Sequence, residues 1–363
     1  MKEIKTRLFV SCCTLNHGGA ERVLSILSTP FADSFDEVCF MTWVDAPVFY
    51  EIDERVRLIN ITKEAKSSRM LPRMRWFRHF IRQQRPDLIL SFLAPYNMLV
   101  LVSLFGIKSR VIVAERNDPR FLRGGKPMEM VRNILYSRAL GILTQTENNK
   151  AYFKGNLREK TTVIYNPVLM DATLAGSALC AQKQKRIVSV GRLEPQKRHD
   201  LLIRAFARFV GRYEDYTLTI YGEGPLRESL ESLVRTLGLT GKVLLPGVSQ
   251  TVMEDIKDAA LFVLASSHEG MSNAMIEAMC IGLPCLCTRV SGAVDLIEDG
   301  KNGLLVDVND EDALAAKMIF VAEHPAIAER IAVDASRIYE MLRAEKISEQ
   351  WLGVIKSHLD GQA

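Results

Sequence analysis

Short apolar runs recur along this sequence at residues 38–41, 88–90, 111–113, 142–143 and 163–165, and helical patterns or long connections separate each from the next. This alternation constrains the fold more than any other feature. It predicts a parallel, doubly wound sheet with helices on both faces. A first strand is expected over residues 7–11, then the pair Gly18-Gly19, then a helix over residues 20–27. After Tyr165-Asn166-Pro167-Val168 the pattern pauses, and residues 170–184, small and polar, read as a linker. A second series follows, with strands expected over 187–190, 216–221, 243–245 and 261–264 and at Leu286, and helices over 201–212 and 225–237. The chain of 363 residues thus reads as two similar α/β domains in tandem. The first is expected to span 1–168, completed by the last helical pattern at about 345–363, and the second to span 169–344. On that last pattern Trp351, Leu352, Ile355 and Leu359 share a face too apolar to stand free, which is expected to pack back across the domain junction.

Composition narrows the class further. No run approaches the roughly 20 apolar residues of a membrane helix, and the apolar residues 8–10 are too short for a secretory signal. Of the seven cysteines, Cys12, Cys13, Cys280, Cys285 and Cys287 lie in or beside apolar runs, the pattern of reduced, buried thiols in a cytoplasmic protein. No His or Cys cluster has ligand spacing, so no metal site is expected. Charge is unevenly spread: residues 1–168 hold 26 Lys and Arg against 16 Asp and Glu, and the remainder 21 against 27. A basic first half points to an anionic partner surface. One segment concentrates it. Met74, Phe77 and Ile81 recur at helical spacing amid Arg73, Arg75, Trp76, Arg78 and Arg82, a pattern that suits either an anionic membrane surface or an ordinary surface helix.

The chemistry-bearing residues follow the expected strands of the second domain. After 187–190 come Gly191-Arg192-Leu193-Glu194-Pro195-Gln196-Lys197, where an arginine fork and a lysine point charge could hold a diphosphate without a metal. Tyr221-Gly222-Glu223-Gly224-Pro225 leaves room for a flat ring against backbone, and Pro246-Gly247-Val248-Ser249 could complete a base pocket. After 261–264 comes Glu269-Gly270-Met271-Ser272-Asn273-Ala274-Met275-Ile276-Glu277, in which Ser272 or Asn273 caps a helix. Amides at a helix mouth favour phosphate, and carboxylates accept from hydroxyls, so Glu269 and Glu277 suit a diphosphate joined to polyols. The loop Ser291-Gly292-Ala293-Val294-Asp295 shapes the same cleft. Each segment also has a plain reading: a solvated basic loop, a turn with proline at the first helical position, two acids at a helix start.

Taken in order, Gly191-Arg192-Leu193 with Lys197, Tyr221-Gly222-Glu223-Gly224-Pro225-Leu226, the pair Glu269 and Glu277 followed by Ala278-Met279-Cys280-Ile281-Gly282-Leu283-Pro284, Asn302-Gly303-Leu304-Leu305-Val306, and Gly18-Gly19-Ala20-Glu21-Arg22 resemble glycosyltransferase family four over nearly the whole chain. The resemblance implies the GT-B fold, two facing Rossmann-like domains with the donor site in the cleft between them, and a retaining, metal-independent transferase with no cofactor beyond its nucleotide-sugar co-substrate. It assigns Arg192 and Lys197 to the leaving diphosphate, Glu277 to the ribose hydroxyls and Glu269 to the donor sugar. Backbone of Met271, Ser272, Asn273 and Ala274 would hold phosphate, Gly18 and Gly19 would let the first domain approach it, and Gly191, Gly222 and Val248 would line the donor pocket. Relatives often carry a histidine in the segment that here reads Ala114-Glu115-Arg116-Asn117-Asp118. Arginine cannot act as a base, so Glu115, Arg116 and Asn117 are expected instead to bind acceptor phosphate or hydroxyls. The form of the acid-to-acid segment resembles enzymes of bacterial polysaccharide and lipid-linked oligosaccharide assembly. That implies a UDP-activated hexose or N-acetylhexosamine, a saccharide acceptor on a lipid diphosphate, an anionic membrane surface as partner and no nucleic acid. It also implies a peripheral place on the inner face of the cytoplasmic membrane. The competing readings are a non-catalytic nucleotide-sugar-binding protein and another GT-B enzyme, such as a GDP-sugar transferase, an inverting transferase or an epimerase.

Overall fold

The computed structural model describes residues 6–16 and 18–361. His17, inside the expected glycine loop, and both chain ends lie outside the described residues. The chain divides into two compact units, Met1–Pro167 with Ala344–Ala363, and Val168–Arg343.

The first unit is built on seven parallel strands: β1 (Arg7–Cys12), β2 (Glu37–Thr42), β3 (Arg57–Asn60), β4 (Leu88–Phe92), β5 (Val111–Ala114), β6 (Gly141–Thr144) and β7 (Thr161–Val163), in the order β3-β2-β1-β4-β5-β6-β7. All five residues of β4 and all four of β5 are buried, which is why their sequences are unbroken apolar runs or nearly so. The helices Met70–Gln84 and Ala94–Ser103 lay Phe77, Ile81, Val100 and Leu101 on Phe9, Ile89 and Val113. Each such side chain contributes about 1.5–3 kcal/mol of burial. The carboxyl-terminal helix Ala344–Leu359 belongs to this unit, and Trp351 stacks on Phe92 with centroids 5.6 Å apart.

The second unit holds β8 (Gln184–Val190), β9 (Thr217–Tyr221), β10 (Val243–Gly247), β11 (Ala259–Leu264), β12 (Cys285–Thr288) and β13 (Leu304–Val306), all parallel, in the order β10-β9-β8-β11-β12-β13. The helix His199–Val210 covers one face with Leu202, Phe206 and Phe209. Two parallel α/β sheets bear out the expected fold class.

Three details differ from expectation. Strand β3 carries no apolar run, because it is an edge strand whose Arg57 and Leu58 face solvent and only Ile59 is buried. Strand β7 ends at Val163 instead of beginning there. Residues 170–184 are not a free linker. The Gly176 and Ala178 N–H groups donate to the Cys280 and Ile281 carbonyls at 2.9 and 2.8 Å, and Leu179 lies against Gly282.

Candidate functional site

The strand order of the second unit reverses between β8 and β11, which pair directly. Connections leaving the carboxyl ends of two such strands part to opposite sides, and the opening there is where ligands bind in open α/β sheets. Both acid and basic motifs of the sequence fall at this point. The segment after β8 carries Gly191, Arg192 and Lys197, and the segment after β11 carries Glu269, Met271 and Ser272.

The two segments are bonded to each other. Lys197 Nζ donates to Glu269 Oε1, and the two side chains are only 15% and 11% exposed. The Ser266 hydroxyl donates to the same oxygen at 3.3 Å. Gln196 Nε2 donates to the His268 carbonyl at 2.7 Å, and the Ser267 N–H to the Gln196 carbonyl at 2.8 Å. Gln196 thus aligns the loops, a role that a lone polar residue in a turn does not announce in sequence. Arg192 is largely exposed and pairs with Glu194 at 2.9 Å. Surface pairs of this kind hold by about 0.2–1 kcal/mol, so the guanidinium can turn to another anion at little cost. His199 opens the helix His199–Val210. Burial, and then the Lys197 charge, push its imidazole down to about 4. It is neutral at pH 7, and the cations here are Arg192 and Lys197.

Glycines let the surrounding loops close up. A Cβ on Gly222, where φ is +142°, would meet the Gly191 carbonyl at 2.0 Å, and one on Gly224 would meet that of Leu193 at 2.5 Å. The loops after β8 and β9 are clasped by Gly191 N–H to Tyr221 O and Leu193 N–H to Glu223 O, both 2.9 Å. A side chain at Gly191 would press on the Lys197 stem at 3.3 Å, and one at Gly292 on the Gly270 carbonyl at 2.8 Å. Val248 follows β10 and is exposed. Ser272 caps the helix Asn273–Cys280, its hydroxyl accepting from the Met275 N–H at 3.4 Å. The helix mouth, with the backbone of Asn273 and Ala274, therefore opens beside Glu269, and Glu277 lies one turn in, buried.

In the first unit Gly18 is extended, and its lack of a Cβ leaves room for the Glu21 carboxylate, which accepts from Thr14 Oγ1 at 3.1 Å. Gly19 is the first residue of the helix Gly19–Ser34. Glu115 departs from expectation. It is 1% exposed, accepts from the Tyr136 hydroxyl at 2.8 Å and faces Arg132 Nη1 at 3.6 Å. Asn97 Nδ2 completes the cluster, donating to the Tyr136 hydroxyl at 2.9 Å. Burial pushes the Glu115 carboxyl up, against the Arg132 charge and the Tyr136 bond. This carboxylate props the loop after β5 from inside, bonded to Tyr136 and facing Arg132. Asn117 is exposed.

Arg116 is 5% exposed and has no carboxylate partner among the described residues. Its Nη2 donates to Asn166 Oδ1, which also accepts from Gln145 Nε2 at 2.8 Å, while Nε and Nη1 have no hydrogen-bond partner. The guanidinium lies 5.6 Å from the Trp351 centroid and 5.9 Å from that of Phe92. Burial alone pushes it down to about 9, so it remains a cation at neutral pH. Asn166, Gln145 and Phe92 lie at or just after other strand ends, and nothing in their separate sequence contexts joins them to Arg116.

Part of the expected membrane helix turns inward. On Met70–Gln84, Arg73 is buried and donates to the carbonyls of Ser67, Trp43 and Ser68 at 2.8–2.9 Å. Arg78 donates to the Ser103 and Phe105 carbonyls at 2.8 and 2.7 Å. Trp76 stacks on Phe80, centroids 4.9 Å apart. Only Arg75 and Arg82 of that set stand exposed, together with Met70 and Leu71 at the start of the helix, while Phe77, Phe80 and Ile81 pack on the sheet. Among the described residues no helix is long and apolar enough to cross a membrane, and no group of three or more His, Cys, Asp or Glu could hold a metal ion.

Comparison with known proteins adds four findings. Residues 175–337 match the family model described as glycosyl transferases group 1. The chain is 30% identical over 326 residues to the N-acetylgalactosamine-N,N'-diacetylbacillosaminyl-diphospho-undecaprenol 4-alpha-N-acetylgalactosaminyltransferase of Campylobacter jejuni, covering 85% of this chain and 88% of that one. It is 25% identical over 350 residues to a second enzyme of that organism, the alpha-1,4-N-acetyl-D-galactosaminyltransferase acting on GalNAc-alpha-(1->4)-GalNAc-alpha-(1->3)-diNAcBac-PP-undecaprenol, covering 94% and 96%. Among solved structures, Anabaena HepE in complex with UDP superposes with a TM-score of 0.78 at 18% identity, covering 97% of this chain and all of that one.

Proposed function

The chain belongs to the group 1 glycosyl transferases, enzymes of GT-B fold, and from that premise we propose that it moves a hexose or N-acetylhexosamine, with retention, from a UDP-sugar to a saccharide carried on a polyprenyl diphosphate. The observation that carries this reading is the reversal of strand order between β8 and β11, beside which Arg192, Lys197, Glu269 and the capped helix mouth gather. The two Campylobacter relatives, whose names specify undecaprenyl diphosphate-linked acceptors, support the acceptor class, and the UDP complex of HepE supports the base.

In this reading the second unit binds the donor. Arg192 and Lys197 neutralise the diphosphate as the bond from the anomeric carbon to its oxygen breaks. The acceptor hydroxyl attacks from the same face and its proton passes to the leaving phosphate, so no side-chain nucleophile is needed. The amides at Met271–Ala274 hold phosphate, Glu269 orients the sugar and Glu277 accepts from the ribose hydroxyls. Gly191, Gly222 and Val248 line the base and ribose, and Gly18 and Gly19 bring backbone to the phosphate. The first unit serves the acceptor, with Arg116 at its phosphate and Asn117 at a hydroxyl. Work takes place at a membrane surface, where such an acceptor resides.

Release of UDP from a panel of UDP- and GDP-sugars in the presence of a short-chain lipid diphosphate saccharide tests the whole. Turnover of GDP-sugars alone would overturn the base assignment, and binding without turnover of any donor would replace the enzyme reading with a sensor. Two further outcomes are expected. Glu277→Ala should weaken UDP binding by about 10- to 100-fold in calorimetry, the loss of one charge-assisted bond worth about 1.5–3 kcal/mol. Unchanged affinity would remove Glu277 from the ribose. Transfer should proceed at its full rate in EDTA, because two side-chain cations supply the charge that a divalent ion would bring. A rate restored only by added Mg²⁺ or Mn²⁺ would refute metal independence.

A further inference from the structure

The helix Gly125–Tyr136 buries Arg132 and Tyr136 and leaves Met130, Val131 and Ile134 outside, with Met130 63% and Ile134 64% exposed. Positions 130, 131 and 134 fall on one stripe of an α-helix, so this apolar surface is continuous. Phe105, 65% exposed and just beyond the helix Ala94–Ser103, lies near the carboxyl end of this helix, where the Arg138 guanidinium is 4.4 Å from its centroid. Behind the stripe Met130 and Ile134 line a shallow groove of about 600 Å³ together with Tyr152 and Leu157. Arg120, Arg123, Lys126 and Arg138 are exposed around it. The single acid on the helix, Glu129, is half-buried and accepts from the Tyr152 hydroxyl.

Exposed apolar side chains gathered on one face and rimmed by polar residues mark interaction sites. The charge around it selects the partner. A second copy of this face would bring Arg123, Lys126 and Arg138 against their own copies, whereas an anionic bilayer offers hydrocarbon to the stripe and phosphate to its rim. We infer that the outer face of the helix Gly125–Tyr136 docks on an anionic lipid bilayer. Met130, Val131, Ile134 and Phe105 enter its acyl region, the groove beside Tyr152 seats a hydrocarbon chain, and Arg123, Lys126 and Arg138 meet headgroup phosphates. This deepens the lipid-linked reading above and rests on it for the reason an enzyme would carry such a face.

Flotation of the full chain with phosphatidylcholine vesicles, with and without phosphatidylglycerol, tests it. The wild type is expected to float with the anionic vesicles and to lose binding as salt is raised. Met130→Asp with Ile134→Asp is expected to lower vesicle affinity by about tenfold or more, since two charges would enter the acyl region. Arg123→Glu with Lys126→Glu should do the same through the rim. All variants should keep the thermal stabilisation by UDP seen in the wild type, which separates this inference from the donor assignment: if UDP stabilises none of them while flotation follows the stated pattern, the donor reading fails alone. Equal flotation of wild type and the Met130/Ile134 variant would overturn the inference. So would a wild type that binds no vesicles, or a dimer in solution that the same substitutions abolish.

Discussion

Lys197→Ala is expected to lower kcat by about 10²–10³, with a far smaller effect on the affinity for UDP. A cation beside a leaving diphosphate meets more charge in the transition state than in the bound donor, so its removal falls on turnover, and donors of this kind are worth roughly 3–4 kcal/mol when deleted. Arg192→Ala should act in the same direction but less strongly, because its guanidinium is solvent-exposed where Lys197 is nearly buried. One complication comes from the geometry. Lys197 pairs with Glu269, and removing the lysine strands a carboxylate in a site where it is only 11% exposed. Breaking one side of a buried pair costs about 3–5 kcal/mol. The loss of rate must therefore be separated from loss of fold. Lys197→Met with Glu269→Gln removes both charges and is expected to recover most of the thermal stability but none of the turnover. Wild-type turnover in Lys197→Ala would end the leaving-group role. Turnover recovered with stability in the double variant would show the pair to be structural.

How much of this was legible in the sequence depended on burial. Strands β4, β5 and β11 are covered on both faces, so their apolar runs could be read directly. Strand β3 could not, since an edge exposed to water has no apolar run to show. The loops at the reversal of strand order were legible as motifs because glycine, cation and acid fall at fixed offsets from strand ends. Their mutual bonding was not, since Lys197 and Glu269 are 72 positions apart. Charged residues misled where a helix turns them inward. Arg73 lies four and eight positions before Phe77 and Ile81, on the buried stripe, and its charge drew it to an expected membrane face although its guanidinium satisfies three carbonyls inside. Glu115 misled in the same way, adjacent in sequence to Arg116 yet turned to Arg132 and Tyr136. The apolar stripe at Met130, Val131 and Ile134 has the spacing of a core face, and only the fold shows it exposed.

Arg116→Met is expected to hold thermodynamic stability within about 1 kcal/mol of the wild type while lowering turnover with a lipid diphosphate acceptor by about 10²-fold. The balance follows from its surroundings. Burying an ion without a counter-charge costs several kcal/mol. Against that stand one charged hydrogen bond to Asn166, about 1.5–3 kcal/mol, and contact with two aromatic faces, about 1–2 kcal/mol each when desolvated. The terms nearly cancel, and methionine fills similar space with no charge to desolvate. A buried arginine that contributes so little to folding, with Nε and Nη1 unbonded among the described residues, is free to meet the acceptor phosphate that the proposed function gives it. The pH dependence gives a second check. With its folded value lowered by burial to about 9, well below an ordinary guanidinium, Arg116 binds fewer protons folded than unfolded once the pH passes that value. Its penalty is therefore fully present below pH 9 and fades above it, so wild type should gain stability relative to Arg116→Met as pH rises past 9. Arg116→Lys, which keeps the charge but loses the planar fork, should recover part of the turnover. A loss of more than about 2 kcal/mol in chemical denaturation of Arg116→Met, with turnover falling only in proportion to the unfolded fraction, would make Arg116 a structural residue. The acceptor phosphate would then have to be met elsewhere in the first unit.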